Sequence, residues 1–170
     1  MNESLAPASG AGGLSIVPLS KGFDRWKELL GLILASFRYM NGVIDPPSSA
    51  LRLTPEALKH KAAEETVFLA FLDGRMVGSV FLAEKDDHFY LGKLAVDPAC
   101  QGCGIGRRLV EAAETFVGMT AKPVIELQVR VELTGNQATF ARLGFRETGR
   151  TAHAGYDRPT SVTMRKMLRS

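Results

Sequence analysis

The stretch Leu94–Leu109, LAVDPACQGCGIGRRL, constrains the fold more than any other part of the chain. The mostly apolar run Phe89–Val96 reads as a strand, and Asp97-Pro98 stops it. Glycines at 102, 104 and 106 follow, and apolar residues at Ile105, Leu109, Ala112, Ala113, Phe116 and Val117 then recur with helical spacing. A strand that turns through a glycine loop into a helix places unpaired N–H groups and the positive end of the helix dipole at the loop, a ready anion site. Glycine lets those N–H groups approach phosphate oxygens with no side chain in between. A plain turn with left-handed glycines is the alternative, yet three alternating glycines exceed what one turn needs.

The loop also excludes ligand types. A Walker-type loop would close on Gly-Lys-Ser/Thr, and this one closes on Gly106-Arg107-Arg108. The dinucleotide fingerprint G-x-G-x-x-G would place its third glycine at position 107, where Arg107 stands. Glu126 does lie at that fingerprint's ribose position, so spacing alone leaves a dinucleotide oxidoreductase open. The five residues between Val96 and Gly102, and the strand meander that precedes them, match repeated β-α-β units poorly.

With 170 residues, 45% hydrophobic and 23% charged, the chain fits a single globular domain. A net charge of +3 is a mild bias, compatible with a phosphate-bearing ligand and too weak for a nucleic-acid partner. No apolar stretch approaches the roughly 18 residues of a membrane span, so no membrane partner is expected. The opening MNESLAPASGAGG lacks the basic region and apolar core of a secretory signal, and residues 1–13 read as a disordered tail before a domain at 14–170. Cys100 and Cys103 form a C-x-x-C pair, but His60, His88 and His153 are scattered and supply no further zinc ligands. The expectation is no metal, small cysteines in a tight loop, and a reducing cytoplasm.

Element order follows from periodicity. Leu14–Leu19 reads as a strand, Phe23–Phe37 as an amphipathic helix, Asn41–Leu53 as a loop, and Thr54-Pro55-Glu56 as the start of a short helix to Ala63. Thr66–Leu72, Met76–Glu84 and Phe89–Val96 form a meander turning at Asp73-Gly74 and Asp86-Asp87. After the glycine loop and its helix come a strand at Val124–Val131, a short helix at Asn136–Leu143, and strands at Phe145–Arg150 and Ser161–Leu168. A meander followed by a β-α-β crossover predicts an α/β (α+β) fold: a single mixed, mostly antiparallel sheet with helices on both faces.

At this point a resemblance becomes specific. Val96-Asp97-Pro98 followed by Gln101-Gly102-Cys103-Gly104-Ile105-Gly106 resembles motif A of the GNAT N-acetyltransferases, Gln/Arg-x-x-Gly-x-Gly/Ala, with Gln101, Gly104 and Gly106 on its defining positions. Asn136 to Phe145, NQATFARLGF, resembles the family's next block, a helix closing on a Gly-Phe corner, and the likeness covers roughly residues 14–168. It implies the GNAT-like acyl-CoA N-acyltransferase fold and an acetyltransferase that moves an acetyl group from acetyl-CoA to a primary amine of a small molecule or peptide, in a ternary complex. It further implies binding between Phe89–Val96 and Val124–Val131, with pantetheine along Leu94, Ala95 and Val96. The pyrophosphate would sit on Gln101, Gly102, Cys103, Gly104, Ile105 and Gly106, with Arg107 adding charge and Asn136 and Phe140 lining the arm. A homodimer is compatible with the same fold.

The catalytic residues follow the family less closely. The family commonly carries a tyrosine general acid four residues before its Gly-Phe corner, and here that residue is Phe140, which cannot donate a proton. The thiolate then leaves with another donor or unassisted, as a thiol of ordinary pKa can. Tyr90, on the strand before Leu94, and His153 and Tyr156, in the loop Thr151–Thr160, are the acid/base candidates. Glu132 is a further lining candidate, and Asp45 and Asp157 candidates to attract an ammonium group. A catalytically silent CoA-binding module on the same fold is the alternative that Phe140 keeps open.

Overall fold

The computed structural model describes residues 13–169, so the expected tail at 1–13 lies outside the described residues except for Gly13. Among these residues seven strands form one sheet: β1 (Leu14–Pro18), β2 (Thr66–Leu72), β3 (Arg75–Glu84), β4 (Phe89–Val96), β5 (Val124–Arg130), β6 (Arg146–Thr151) and β7 (Ser161–Met167). Their spatial order is β1-β2-β3-β4-β5-β7-β6, and every neighbouring pair is antiparallel except β4 and β5. The mixed, mostly antiparallel sheet read from the sequence is therefore the one observed.

Among the described residues four α-helices, α1 (Trp26–Phe37), α2 (Pro55–Glu64), α3 (Ile105–Gly118) and α4 (Thr134–Arg142), cover both faces. One core joins Leu109, Val110, Ala113 and Val117 of α3 to Leu91 of β4 and Ile125, Leu127 and Val129 of β5. A second core, on the opposite face, joins Leu29 and Ile33 of α1 to Leu58 of α2, Leu69 of β2 and Phe81 of β3. Alternation along each strand feeds the two cores in turn, as a sheet covered on both faces requires. Burial of these side chains supplies most of the stabilisation, at about 25 cal/mol per Å² of apolar surface removed from water.

Local signals set the boundaries. Thr54 Oγ1 accepts from Ala57 N–H (3.1 Å), capping α2 with Pro55 at its first position, as the sequence predicts. The helix expected from Phe23 begins only at Trp26, after a non-helical Arg25, and Phe23 packs edge-on against Trp26 from outside it with centroids 4.8 Å apart. The expected loop Asn41–Leu53 contains a 3₁₀ turn at Ser49–Arg52, with Ser48 Oγ accepting from Ala50 N–H. The helix expected from Asn136 starts at Thr134, running through Gly135.

Candidate active site

The cleft originates in a single irregularity of β4. Phe81 pairs with Gly92 but Ser79 pairs with Ala95, so β4 spends three residues where β3 spends two. Lys93 at this bulge has φ +50°, and Ser79 Oγ donates to its carbonyl at 2.9 Å. Beyond the bulge β4 bends away from β5: the two pair only at Phe89–Ile125 and Tyr90–Glu126. Since Ala95 pairs with Ser79 and Asp97 N–H donates to Val77, the backbone groups of Leu94 and Val96 point at the opened edge. Val96 N–H donates there to Ser36 Oγ of α1 at 3.0 Å.

The glycine loop closes one end of this opening. Asp97 caps its start by accepting from Ala99 N–H (2.9 Å) and pairs with Arg75 (2.8 Å). Gly102 and Gly104 take φ +84° and +81°, left-handed values that a side chain would strain, and a Cβ at either would meet nothing within 4 Å. The loop thus leaves free space in front of the first N–H groups of α3, which Gly104 caps. The resulting cavity, about 770 Å³, runs from the loop between β4 and β5 to the α1 side of the sheet.

Most of the expected donor-binding residues line this cavity: Leu94, Val96, Gln101, Gly102, Gly104, Ile105, Gly106, Asn136 and Phe140. Three do not. Ala95 is buried in the α1–α2 core, Cys103 is exposed, and Arg107 is a solvated helix residue paired with Glu111 (3.4 Å). Cys100 is buried with its Sγ 3.6 Å from Arg75 Nη2, and both cysteines are free thiols. Phe140 stacks edge-on against Phe145, centroids 5.8 Å apart, so it serves the apolar wall.

The catalytic candidates fall in different places. Tyr90 lines the cavity, and burial, reinforced by the nearby Glu126 carboxylate, pushes its hydroxyl above the ordinary tyrosine value. His153 lies outside the lining. Its Nδ1 is 2.5 Å from Thr160 Oγ1, and burial together with Arg130 holds its pKa below the ordinary histidine value. Tyr156, also outside, donates to Asp45 Oδ1 at 2.5 Å, which raises its pKa. Arg158 reaches Asp45 Oδ2 at 3.2 Å, so Asp45 is already engaged, while Asp157 is exposed. Glu132 is half-buried beside the cavity with Oε1 unpartnered.

Several lining residues escaped the sequence reading. Ser36 and Tyr39 come from the end of α1 and the turn after it, and Asn136 Nδ2 donates to the Tyr39 hydroxyl at 2.8 Å. Gln128 and Arg130 were legible in principle, since they alternate with Leu127 and Val129 along β5. Among the described residues no group of three or more His, Cys, Asp or Glu side chains is placed to hold a metal ion. Nor, among them, is any helix long and apolar enough to cross a membrane.

A seven-stranded mixed sheet split in this way over a glycine loop is the fold of the GNAT acyl-CoA N-acyltransferases. Solved structures share it. The PaiA N-acetyltransferase of Thermoplasma acidophilum, in complex with coenzyme A, superposes with a TM-score of 0.74 at 17% identity over 90% of this chain and 99% of that one. A GNAT family acetyltransferase of Elizabethkingia anophelis with acetyl-CoA bound gives a TM-score of 0.65 at 16% identity, covering 91% and 97% of the two chains. Residues 26–145 match the Acetyltransferase (GNAT) family, and the chain belongs to that family. Mycothiol acetyltransferase of Mycobacterium leprae is 33% identical over 93 residues, 46% of this chain and 30% of that protein. The chain thus spans under a third of the length of this curated relative.

Proposed function

We propose that the protein transfers an acetyl group from acetyl-CoA to a primary amine by direct attack in a ternary complex. The observation that carries this reading is the opened β4 edge leading into a left-handed glycine loop at the start of α3. Leu94 and Val96 offer backbone groups to pantetheine much as a strand accepts an added neighbour. The N–H groups of residues 101–106 receive the pyrophosphate, and one on β4 stabilises the oxyanion. Ser36 holds the Val96 N–H until the donor arrives.

Proton transfer then divides between two groups. Tyr90, kept protonated by burial and Glu126, is the side chain suited to donate to the departing thiolate where Phe140 lacks a hydroxyl. His153, held unprotonated at neutral pH, is suited to draw the ammonium proton through water. Tyr156 commits its hydroxyl to Asp45 outside the cleft lining. The free thiols Cys100 and Cys103 fit a cytoplasmic protein.

Phe140 also supports a second reading, a silent CoA-binding module. Release of CoA thiol from acetyl-CoA in the presence of an amine panel separates the two. Turnover with at least one amine supports transfer; acetyl-CoA binding by calorimetry with no turnover supports the module.

A further inference from the structure

The two sides of the cleft carry different chemistry. Ile125, Leu127 and Val129 of β5 are buried against α3, so Glu126, Gln128 and Arg130 face the α1 side. There Arg130 is gripped by the loop after α1: Nη1 donates to the Pro46 carbonyl (2.6 Å) and Nη2 to the Pro47 carbonyl (3.3 Å). Lys93, on the bulge, stands in electrostatic range of Lys61 of α2 and of Glu65 just after it, and so lies on the same side. Among the described residues lining the cleft, Lys93 and Arg130 are basic and none is acidic.

Among the described residues no acid forms a close ion pair with either cation, although Glu132, with one oxygen unpartnered, lies in electrostatic range of Arg130. Asp45 is engaged by Tyr156 and Arg158, and Glu65 by Lys61 at 2.8 Å. Glu132 and Asp45 are in electrostatic range of Arg130 but stand outside the lining. Neutral carbonyls orient the guanidinium without cancelling its charge, and they use two of its five N–H donors. A fixed, planar, unpaired guanidinium in a half-buried cleft is matched by a carboxylate. A second ammonium on the acceptor would meet two cations instead.

We propose that the acceptor is a small amine that also carries a carboxylate, which Arg130 binds, rather than a polyamine or other polycation. This rests on the acetyl-transfer reading above and adds the acceptor class to it. Arg130 sets specificity, and Lys93 adds positive potential on the same side.

The test compares amines that differ by the carboxylate alone: phenylalanine with 2-phenylethylamine, tryptophan with tryptamine, γ-aminobutyrate with propylamine, and spermidine as the polycation. The best carboxylate-bearing amine should exceed its partner at least tenfold in kcat/KM, and Arg130→Met should shrink that ratio to within about threefold. Arg130→Lys, which keeps charge without the fork, should fall between, and it serves as the variant if Arg130→Met does not fold. Faster turnover of spermidine or of the decarboxylated partners overturns the inference, as does an unchanged ratio in Arg130→Met. Calorimetry separates the two levels. Wild-type protein that binds acetyl-CoA but prefers spermidine refutes only the acceptor class, whereas absence of acetyl-CoA binding refutes the transfer reading itself. If no amine turns over, saturation-transfer NMR with phenylalanine and γ-aminobutyrate decides, since a signal no stronger in wild type than in Arg130→Met overturns the role of Arg130.

Discussion

Replacing Gly106 by alanine should raise the stability of the free protein while weakening its hold on acetyl-CoA. Gly106 is the second residue of α3, its φ is not left-handed, and an added Cβ would meet only Val96 Cγ2 at 3.6 Å, an ordinary contact. A Gly→Ala change that the fold accepts gains about 0.4–1 kcal/mol, chiefly by restricting the unfolded chain. For a protein of this size that raises Tm by roughly 1–4 °C. The same methyl group stands at the mouth between β4 and the start of α3, where on the proposed reading the pyrophosphate approaches the N–H groups. Losing one charge-assisted hydrogen bond costs about 1.5–3 kcal/mol, or roughly 10- to 150-fold in affinity. Gly104→Ala supplies the control of opposite sign. At φ +81° its side chain is strained by about 1–2 kcal/mol, so that variant should melt lower and also bind more weakly. Scanning calorimetry gives the two melting shifts and titration calorimetry the two affinities. A Gly106→Ala protein that melts as expected but binds acetyl-CoA within twofold of wild type would show that the phosphates lie elsewhere.

Other perturbations follow from the same geometry. Phe140→Tyr should move kcat by less than about tenfold, because on the proposed reading Tyr90 already supplies the proton to the thiolate; a hundredfold gain in steady-state turnover would show that departure lacked a donor. With Tyr90 held above its ordinary pKa, wild-type kcat/KM should climb through the acceptor's ammonium pKa and fall only beyond pH 10, and in Tyr90→Phe that alkaline fall should vanish. His153→Ala should lower kcat most near pH 7 and be partly rescued at high pH, where the amine deprotonates unaided. Because the folded pKa of His153 lies below the unfolded value of about 6.5, protonation favours unfolding; stability is lost as pH falls below that value, and the alanine variant should melt less acid-sensitively. The double variant Cys100→Ser, Cys103→Ser should keep acetyl-CoA affinity within about threefold, the range expected if neither thiol contacts the donor, and hold no less metal than wild type by elemental analysis; redox-dependent activity would contradict this.

Strands β2 and β4 were legible to the residue because alternation and turn dipeptides act over a few positions: Asp73-Gly74 and Asp86-Asp87 bracket β3 and its turns. Helix starts were less so. The apolar spacing of α1 continues backward into Phe23, which packs on Trp26 from outside the helix. Gly135 reads as a breaker, yet α4 runs through it with Gln137 Nε2 donating to the carbonyls of Arg130 and Val131. The bulge at Lys93 was invisible, because it exists only as a mismatch in register between two strands. No property of FYLGKLAV taken alone reveals that β3 spends one residue fewer.

The difference between the two sides of the cleft has the same cause. Most of the proposed donor side is built within one stretch of chain, where strand end, glycines and helix start are neighbours, so its chemistry can be read in order. The proposed acceptor side is assembled from α1 and its following loop, the β4 bulge, the end of β5 and the loop before β7. Its key contacts join residues 84 and 111 positions apart: Arg130 with Pro46, and Tyr156 with Asp45. Those contacts engage Asp45, one of the two acids expected to draw an ammonium group, and leave Arg130 and Lys93 as the charges that line the cleft. The sign of the proposed acceptor site is therefore a tertiary property, decided by which acid finds which base across the sheet. Exchanging the segment 41–53 can on this ground alter acceptor choice while the donor loop, which makes none of these contacts, continues to bind as before.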